Sequence, residues 1–117
     1  MGDETRTSRL ERLLGAQGVA KLASARVMVI GIGGVGSNCV EALARGGVGS
    51  FVIIDDDRVE ESNVNRQAIA FSSTLGRLKV DVMRDMIADI NPQAHVKTIE
   101  RRILPDDVES LFEECPV

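Results

Sequence analysis

Aromatic residues are scarce in this chain, and their scarcity argues against one common mode of nucleic-acid binding. The 117 residues include no Trp, no Tyr and only three Phe. Proteins that bind single-stranded nucleic acid stack the bases on aromatic side chains. The formal net charge of -4 also argues against a broad basic surface for the phosphate backbone. Any contact with RNA is therefore expected to come from local groups of Arg and Lys or from residues outside this chain.

Cysteines and long apolar runs are also few. Cys39 and Cys115 lie far apart and form no CxxC pair, so the sequence supports neither a zinc cluster nor a disulfide framework. Neither cysteine has an adjacent base, so we interpret both as reduced thiols without a catalytic role. The lone His95 falls in a strand-like stretch, and we interpret it as structural. The chain has no run of roughly 18 apolar residues, which predicts a soluble, cytoplasmic protein with no membrane partner.

The apolar residues of the chain alternate between the patterns of strands and of helices. Continuous apolar runs at residues 26–30 and 51–54 predict strands buried on both faces, and residues 95–99 predict a third strand. Apolar residues at helical spacing predict a helix that ends at Gly46 and another over residues 78–90, which ends before a proline. This alternation of strands and helices is typical of a parallel sheet.

The fold predicted from this order is an α/β fold with a Rossmann-like, doubly wound, mainly parallel sheet. Three strands make half of such a sheet, so we expect only its first half to be present. We divide the chain into an N-terminal helical segment, residues 1–25, and a truncated nucleotide-binding α/β domain, residues 26–117. In the helical segment, Ser8 and Glu11 predict a capping box, and Gly15 predicts the end of a helix.

A glycine-rich turn follows the first predicted strand. Residues 31–36 read GIGGVG, which fits G-x-G-x-x-G, and Asp55 follows the second predicted strand, 19 residues after Gly36. Glycines let the backbone approach a phosphate, a helix N-terminus attracts its charge, and a carboxylate accepts hydrogen bonds from a ribose. A tight turn without a ligand is the alternative, which the strand context and the acidic residue disfavour. The predicted nucleotide-binding residues here are Gly31, Gly33, Gly34, Gly36 and Asp55.

The polar stretch at residues 58–76 bears on the choice of nucleotide. The glycine fingerprint by itself favours NAD over ATP. The loop and its flanks, however, bring Asn63, Arg66 and Lys79 near the carboxyl end of the second strand, and hydride transfer has little use for two cations. Attack of a carboxylate on the α-phosphorus of ATP develops charge on phosphoryl oxygens, which fixed cations and a metal ion stabilise. The loop therefore favours ATP with Mg²⁺, although spacing alone also allows solvated surface cations.

Five motifs together resemble the ubiquitin-activating-like adenylyltransferases. They occur in that superfamily's order and spacing: GIGGVGS at 31–37, IDDDRV at 54–59, SNVNRQ at 62–67, GRLK at 76–79 and INP at 90–92. The match covers about residues 8 to 100. Within the superfamily, EALAR at 41–45 and KVDVM at 79–83 look like the tRNA threonylcarbamoyladenosine dehydratases more than the sulfur-carrier activators.

The resemblance implies roles for the matching residues. The phosphates would contact the glycine turn, the ribose would contact Asp55, and the triphosphate would lie among Asn63, Arg66 and Lys79. Asp57 would order the loop or the metal site. Homodimers of the superfamily can also lend an N-terminal arginine to the triphosphate of the partner subunit. Arg9 and Arg12 are the candidates for this role, and we select Arg9. The candidate catalytic residues are accordingly Arg66, Lys79 and Arg9, and no residue is assigned as a metal ligand.

The function implied is ATP-dependent adenylation of a carboxylate, with cyclisation of threonylcarbamoyladenosine in tRNA as the main hypothesis. The alternative is adenylation of the C-terminal glycine of a ubiquitin-like sulfur-carrier protein. Hypotheses from other classes are an NAD(P)-dependent oxidoreductase half-domain and a non-catalytic interaction module. Family members also carry a later Asp-bearing strand end, and some carry CxxC pairs. Since neither occurs in residues 1–117, we expect this stretch alone not to catalyse adenylation.

Overall fold

Within residues 4–117, which the computed structural model describes, the sheet consists of three parallel strands. They are β1 (Arg26–Ile30), β2 (Ser50–Ile54) and β3 (His95–Ile99), in the spatial order β1-β2-β3. The register pairs the last residues of the three strands with one another, so their carboxyl ends meet at one edge. The predicted α/β fold with a parallel sheet is confirmed, and all three strands lie where the apolar runs predicted them.

Helices connect and flank these strands. The described α-helices are α1 (Ser8–Ser24), α2 (Gly34–Arg45), α3 (Lys79–Ile90) and α4 (Val108–Glu114). Short 3-10 helices lie at Glu61–Asn63, Ser72–Thr74 and Pro105–Asp107. The ends of α2 and α3 agree with the sequence, because Gly46 caps the first and Asn91, which precedes a proline, caps the second.

The apolar core lies between the sheet and the helices α2 and α3. It takes fully or nearly fully buried side chains from all three elements, among them Phe51, Ile53, Val40, Ala44, Val80, Met83 and Ile87. Full burial of a large aliphatic side chain stabilises a fold by about 1.5–3 kcal/mol before entropy is counted. This packing holds the start of α2 and the carboxyl ends of β1 and β2 as a rigid platform.

The strand β1 is less buried than its apolar run predicted. Arg26 is exposed, and Ile30 keeps 50% of its side-chain surface exposed. β1 is the outer strand of the described sheet and pairs only with β2, while α2 covers one of its faces. The prediction of a strand buried on both faces is therefore wrong for β1. It is closer for β2, in which Phe51, Ile53 and Ile54 are buried.

The N-terminal helical segment agrees with the sequence in part. Gly15 has φ +75°, which interrupts helical geometry inside α1 as its sequence predicted. The prediction of a capping box at Ser8 is wrong. Thr7 is the residue that precedes the helix, whereas Ser8 lies within it and accepts a hydrogen bond from the N–H of Thr5 at 2.7 Å. The helix ends at Ser24, next to the expected boundary after residue 25, and residues 1–3 of that segment lie outside the described residues. No described helix has the length and apolar character needed to cross a membrane.

Candidate nucleotide-binding site

The glycine turn between β1 and α2 has a geometry that only glycine permits at two positions. Gly31 has φ +94°, in the left-handed region that side chains disfavour. A Cβ added to Gly36 would lie 1.8 Å from the carbonyl oxygen of Gly31, far inside the contact distance of two non-bonded atoms. The close approach folds the turn back onto the end of β1. The predicted strand, glycine turn and helix therefore follow one another as the motif requires.

The first turn of α2 presents free backbone donors beside this turn. The N–H of Ser37 bonds to the carbonyl of Gly33 at 2.9 Å, so Gly34, Val35 and Gly36 precede the first such bond of the helix. Unpaired N–H groups and the positive end of the helix dipole together attract a phosphate. The turn has the elements of an anion-binding site at the carboxyl edge of the sheet.

Asp55 links the glycine turn to the loop that follows β2. Its Oδ2 accepts a hydrogen bond from the N–H of Ile32 at 2.7 Å, and its Oδ1 accepts one from the N–H of Asp57 at 2.7 Å. A carboxylate has about four acceptor positions, so two remain for a ligand hydroxyl. Asp55 thus lies directly after β2, as predicted. It also fixes the shape of the glycine turn and of the acidic stretch, residues 55–57.

Three consecutive carboxylates and one buried cation lie at this edge. One carboxylate oxygen from each of Asp55, Asp56 and Asp57 falls within 4.8 Å of the others. Lys79 is buried, and its Nζ lies 4.0 Å from Oδ2 of Asp57, which is 70% exposed. Backbone bonds between the two ends of the loop, including Lys79 N–H to the carbonyl of Asp57 at 3.0 Å, bring the lysine there. The burial excludes the interpretation of Lys79 as a solvated helix charge.

Arg66 lies against the glycine turn. A Cβ added to Gly34 would be 3.6 Å from Cγ of Arg66, so the aliphatic part of the arginine covers the position where Gly34 has no side chain. The Nη1 of Arg66 donates to the carbonyl of Ser62 at 2.9 Å and to Oδ1 of Asn65 at 3.0 Å. The fold therefore brings Arg66 to the glycine turn from a loop about thirty residues away in sequence.

Asn63 is buried and shapes the loop. Its Oδ1 accepts a hydrogen bond from the N–H of Glu60 at 2.8 Å, and its carbonyl accepts from the N–H groups of Arg66 at 3.2 Å and Gln67 at 3.0 Å. These bonds wind the chain into the turn that carries Arg66. The structure thus gives Asn63 a role in forming the loop in addition to the predicted contact with a triphosphate.

Arg9 lies far from the glycine turn of its own chain. It is 85% exposed at the start of α1, where its Nε is 4.0 Å from Glu4 Oε2. The start of α1 lies next to the far end of α2, since a Cβ added to Gly47 would be 3.5 Å from Cγ2 of Thr7. The twelve residues of α2 span about 18 Å. Arg9 is therefore separated from the other predicted site residues within one chain.

Sequence reasoning missed two residues at the start of α2. Ser37 is fully buried, and Asn38 is exposed, yet both bond to the loop that carries Arg66. Ser37 belongs to the motif at 31–37, but only the glycines of that motif received roles. A small polar residue directly after the glycine turn is the signal that could have identified it.

Two cavities of the described residues lie away from this edge. One is lined by Arg26, Ser50 and His95, the first residues of the three strands, together with Cys115. Those residues mark the amino ends of the strands, opposite the glycine turn. Ligands of open parallel sheets bind at the carboxyl ends. The candidate site is therefore the glycine turn with the free N–H groups of α2, at the opposite edge of the sheet from this cavity.

Comparison with known proteins agrees with this geometry. A family model described as the ThiF family matches residues 6–117. The tRNA threonylcarbamoyladenosine dehydratase of Bacillus subtilis is 44% identical over 106 residues, which cover 91% of this chain and 42% of that protein. The probable adenylyltransferase/sulfurtransferase MoeZ of Mycobacterium tuberculosis is 43% identical over 101 residues, covering 86% of this chain and 26% of that protein. The chain thus spans less than half the length of these relatives.

Solved structures show the same fold. The crystal structure of Escherichia coli tRNA N6-threonylcarbamoyladenosine dehydratase in complex with ATP matches with a TM-score of 0.90 and 39% identity, covering 92% of this chain and 44% of that one. The E. coli MccB structure with ATP matches with a TM-score of 0.82 and 26% identity, covering 97% and 35%. The Rossmann-like fold and the resemblance drawn from the five motifs are confirmed. Because the family model matches nearly the whole chain, this protein belongs to the ThiF family.

Proposed function

We propose that this chain forms the ATP-binding part of an adenylating enzyme. The observation that carries the proposal is the convergence of the glycine turn, Asp55, Arg66 and Lys79 at the carboxyl edge of one parallel sheet. Free helix N–H groups and two cations suit a triphosphate better than a nicotinamide. Two similar solved structures are complexes with ATP, which supports the same nucleotide.

The residues divide the nucleotide among them. Gly31, Gly33, Gly34 and Gly36 let the backbone of the turn approach the phosphates, and the first turn of α2 donates to them. Asp55 accepts hydrogen bonds from the ribose with its remaining acceptor positions. Around the triphosphate lie the amide of Asn63, which also shapes the loop, and the side chains of Arg66 and Lys79. Asp57, the last residue of the acidic stretch, lies next to Lys79.

The acidic stretch also fits a magnesium ion. Mg²⁺ prefers carboxylate oxygens and binds through one or two of them while it keeps several waters. Asp56 and Asp57 are exposed, and their oxygens lie within 4.8 Å of Asp55. These two residues would hold the ion together with phosphate oxygens of the nucleotide. When bound there, it would neutralise part of the charge on the phosphates.

The chemistry is transfer of an adenylyl group to a carboxylate. The carboxylate oxygen forms a bond with the α-phosphorus, the bond from that phosphorus to the β-phosphate oxygen breaks, and pyrophosphate leaves with its electron pair. Negative charge therefore grows on the phosphoryl oxygens and on pyrophosphate. Arg66 and Lys79 are fixed cations that would be more strongly attracted to this charge distribution than to bound ATP, which lowers the barrier.

The substrate we favour is threonylcarbamoyladenosine in tRNA. Dehydratases that carry this substrate in their name are 42–44% identical to the chain in three bacteria. Activation of the carboxylate as an acyl-adenylate, followed by attack of a neighbouring group, would close a ring and release AMP. A homodimer in the cytoplasm completes the proposal, with Arg9 contributed to the triphosphate of the partner subunit.

A second candidate is adenylation of the C-terminal glycine of a ubiquitin-like carrier protein. It is supported by relatives named as adenylyltransferases and sulfurtransferases, one of which is 43% identical to the chain. The two candidates share the nucleotide site and differ only in the carboxylate they activate.

Two measurements on the complete protein test these proposals. Calorimetric titration should show tighter binding of ATP with Mg²⁺ than of NAD, and a preference for NAD would contradict adenylation. Exchange of labelled pyrophosphate into ATP should then require one carboxylate substrate. Exchange stimulated by tRNA that carries threonylcarbamoyladenosine supports the first candidate, whereas stimulation only by a diglycine-tailed carrier protein supports the second.

A further inference from the structure

Two neighbouring side chains at the start of α2 fasten the Arg66 loop to the glycine turn. The Nδ2 of Asn38 donates to the carbonyl of Gly34 and, at 2.9 Å, to the carbonyl of Arg66. The Oγ of Ser37 donates to the carbonyl of Gly33 and accepts from the N–H of Ala68 at 3.0 Å. Each side chain thus joins a carbonyl of the turn to a backbone group of the loop.

Ser37 and Asn38 differ in how much they contribute to the stability of the fold. Ser37 is fully buried, so its loss would leave the amide of Ala68 without an acceptor, at a cost to stability. Asn38 is exposed and contributes nothing to the apolar core. Asn is also a poorer helix former than Ala, so its presence in α2 is not explained by helix stability. What Asn38 adds is the bond to the carbonyl of Arg66.

That bond lies next to the contact between Arg66 and the glycine turn. The aliphatic part of Arg66 covers Gly34, and the same amide that holds the Arg66 carbonyl also holds the carbonyl of Gly34. One amide group therefore ties together the arginine and the glycine it covers. The guanidinium has its own bonds to Ser62 and Asn65, but these partners belong to the same loop and move with it.

We infer that Asn38 is a positioning residue for Arg66: it fixes the loop so that the guanidinium is held at the phosphate-binding turn before the nucleotide binds. The inference rests on the proposed function in so far as the ligand is ATP. Without the bond, Arg66 would have to be ordered during binding, and part of its interaction energy would be spent on that ordering. Ser37 fastens the same loop as part of the core.

The direct test is a thermodynamic cycle on the complete protein, with ATP and Mg²⁺ as the titrant. Asn38→Ala should weaken ATP binding by about threefold to tenfold, which is the range of one hydrogen bond. Asn38→Asp has the same shape but no N–H donor, and it should lose at least as much. In an Arg66→Ala background, Asn38→Ala should have no further effect, because the residue that it positions is gone.

A purely structural role would give a different result. Asn38→Ala should leave the melting temperature unchanged or slightly raised, since Ala favours the helix. Cys39→Ala, at the next exposed position of α2, is the matched control and should change neither melting nor affinity. Equal losses from Asn38→Ala in the wild-type and Arg66→Ala backgrounds would overturn the inference, as would full ATP affinity in Asn38→Ala.

Hydrogen exchange separates this inference from the proposed function. In the protein without nucleotide, the amides of residues 64–70 should exchange faster in Asn38→Ala than in wild type, while those of α3 should not change. If wild type binds no ATP, the proposed function fails, and the exchange result alone decides whether Asn38 holds the loop. Unchanged exchange at residues 64–70 would overturn the positioning role even if ATP binds.

Discussion

The glycine turn and the loop at residues 58–76 meet at one site, but they acquire their shapes in different ways. The turn is set by sterics within six residues, because Gly36 approaches the carbonyl of Gly31 more closely than any side chain would allow. The loop is set by hydrogen bonds to distant residues, such as Ala68 N–H to Ser37 and the Arg66 carbonyl to Asn38. The turn is a property of a motif, whereas the loop is a property of the assembled domain.

This difference predicts which substitutions have the largest effects on stability and on ATP binding. A change in the turn acts on covalent geometry and packing, where nothing nearby can yield. A change in the loop removes hydrogen bonds one at a time, each with a modest net contribution. We therefore expect effects to fall in order from the turn, through the carboxylate that joins the two regions, to the cation on the loop and finally to an exposed ion pair just after the loop.

The largest effect is expected for Gly36→Ala. The added Cβ would lie 1.8 Å from a backbone oxygen, which only a backbone shift can relieve. We expect destabilisation of about 3 kcal/mol and loss of ATP binding, measured by denaturant unfolding and titration. Gly33→Ala is the matched control for stability, since its Cβ would meet nothing within 4 Å and φ is -97°. If both variants unfold alike, steric closure does not set the turn.

Asp55→Ala tests the connection between the two regions. It removes the acceptor of the Ile32 and Asp57 amides and the proposed ribose contact. ATP binding should weaken by about 1.5–3 kcal/mol, the range for a bond to a charged group. Asp55→Asn, which keeps one acceptor oxygen, should lose less ATP affinity. It is the control for a general folding defect in Asp55→Ala. Unchanged affinity in both variants would remove Asp55 from the nucleotide site.

Arg66→Ala tests the contribution of the loop to adenylation. Because charge grows on the phosphoryl group as pyrophosphate leaves, the variant should lose more in adenylation than in ATP affinity. We expect pyrophosphate exchange to fall by about tenfold beyond the change in affinity, or roughly 1.4 kcal/mol of transition-state stabilisation. Arg66→Lys should recover part of the rate. Exchange at the wild-type rate in Arg66→Ala would refute the proposed catalytic role.

The smallest effect is expected at an exposed ion pair between Arg77, just after the loop, and Asp85 in α3. Arg77 Nη2 lies 2.6 Å from Oδ2 of Asp85, but the two side chains are 45% and 54% exposed. Water and salt screen such a pair, so Arg77→Ala should cost less than about 0.5 kcal/mol in unfolding free energy and leave ATP affinity unchanged. A loss as large as that of Asp55→Ala would mean that loop charge in general, and not the contacts at the turn, governs the site.

Much of the fold and the site could be predicted because the signals are local. Apolar runs located the three strands, helical spacing and breakers located α2 and α3, and the motif placed Asp55 opposite the turn. The burial of β1 was misjudged, because a continuous apolar run does not reveal how many neighbours a strand has. The predicted capping box at Ser8 does not form, because the chain already turns at residues 5–7 and Thr7 becomes the residue before the helix.

Sequence patterns alone predict the glycine turn, the order of strands and helices, and the residue types of a nucleotide site. These follow from steric limits and from periodicity over a few residues. The packing of the whole domain was needed to bury Lys79 beside Asp57, and to hold the loop against the turn through Ser37 and Asn38. The bonds from Ser37 and Asn38 join groups 31 and 28 residues apart, and their formation depends on the path of the loop once the sheet and helices have packed.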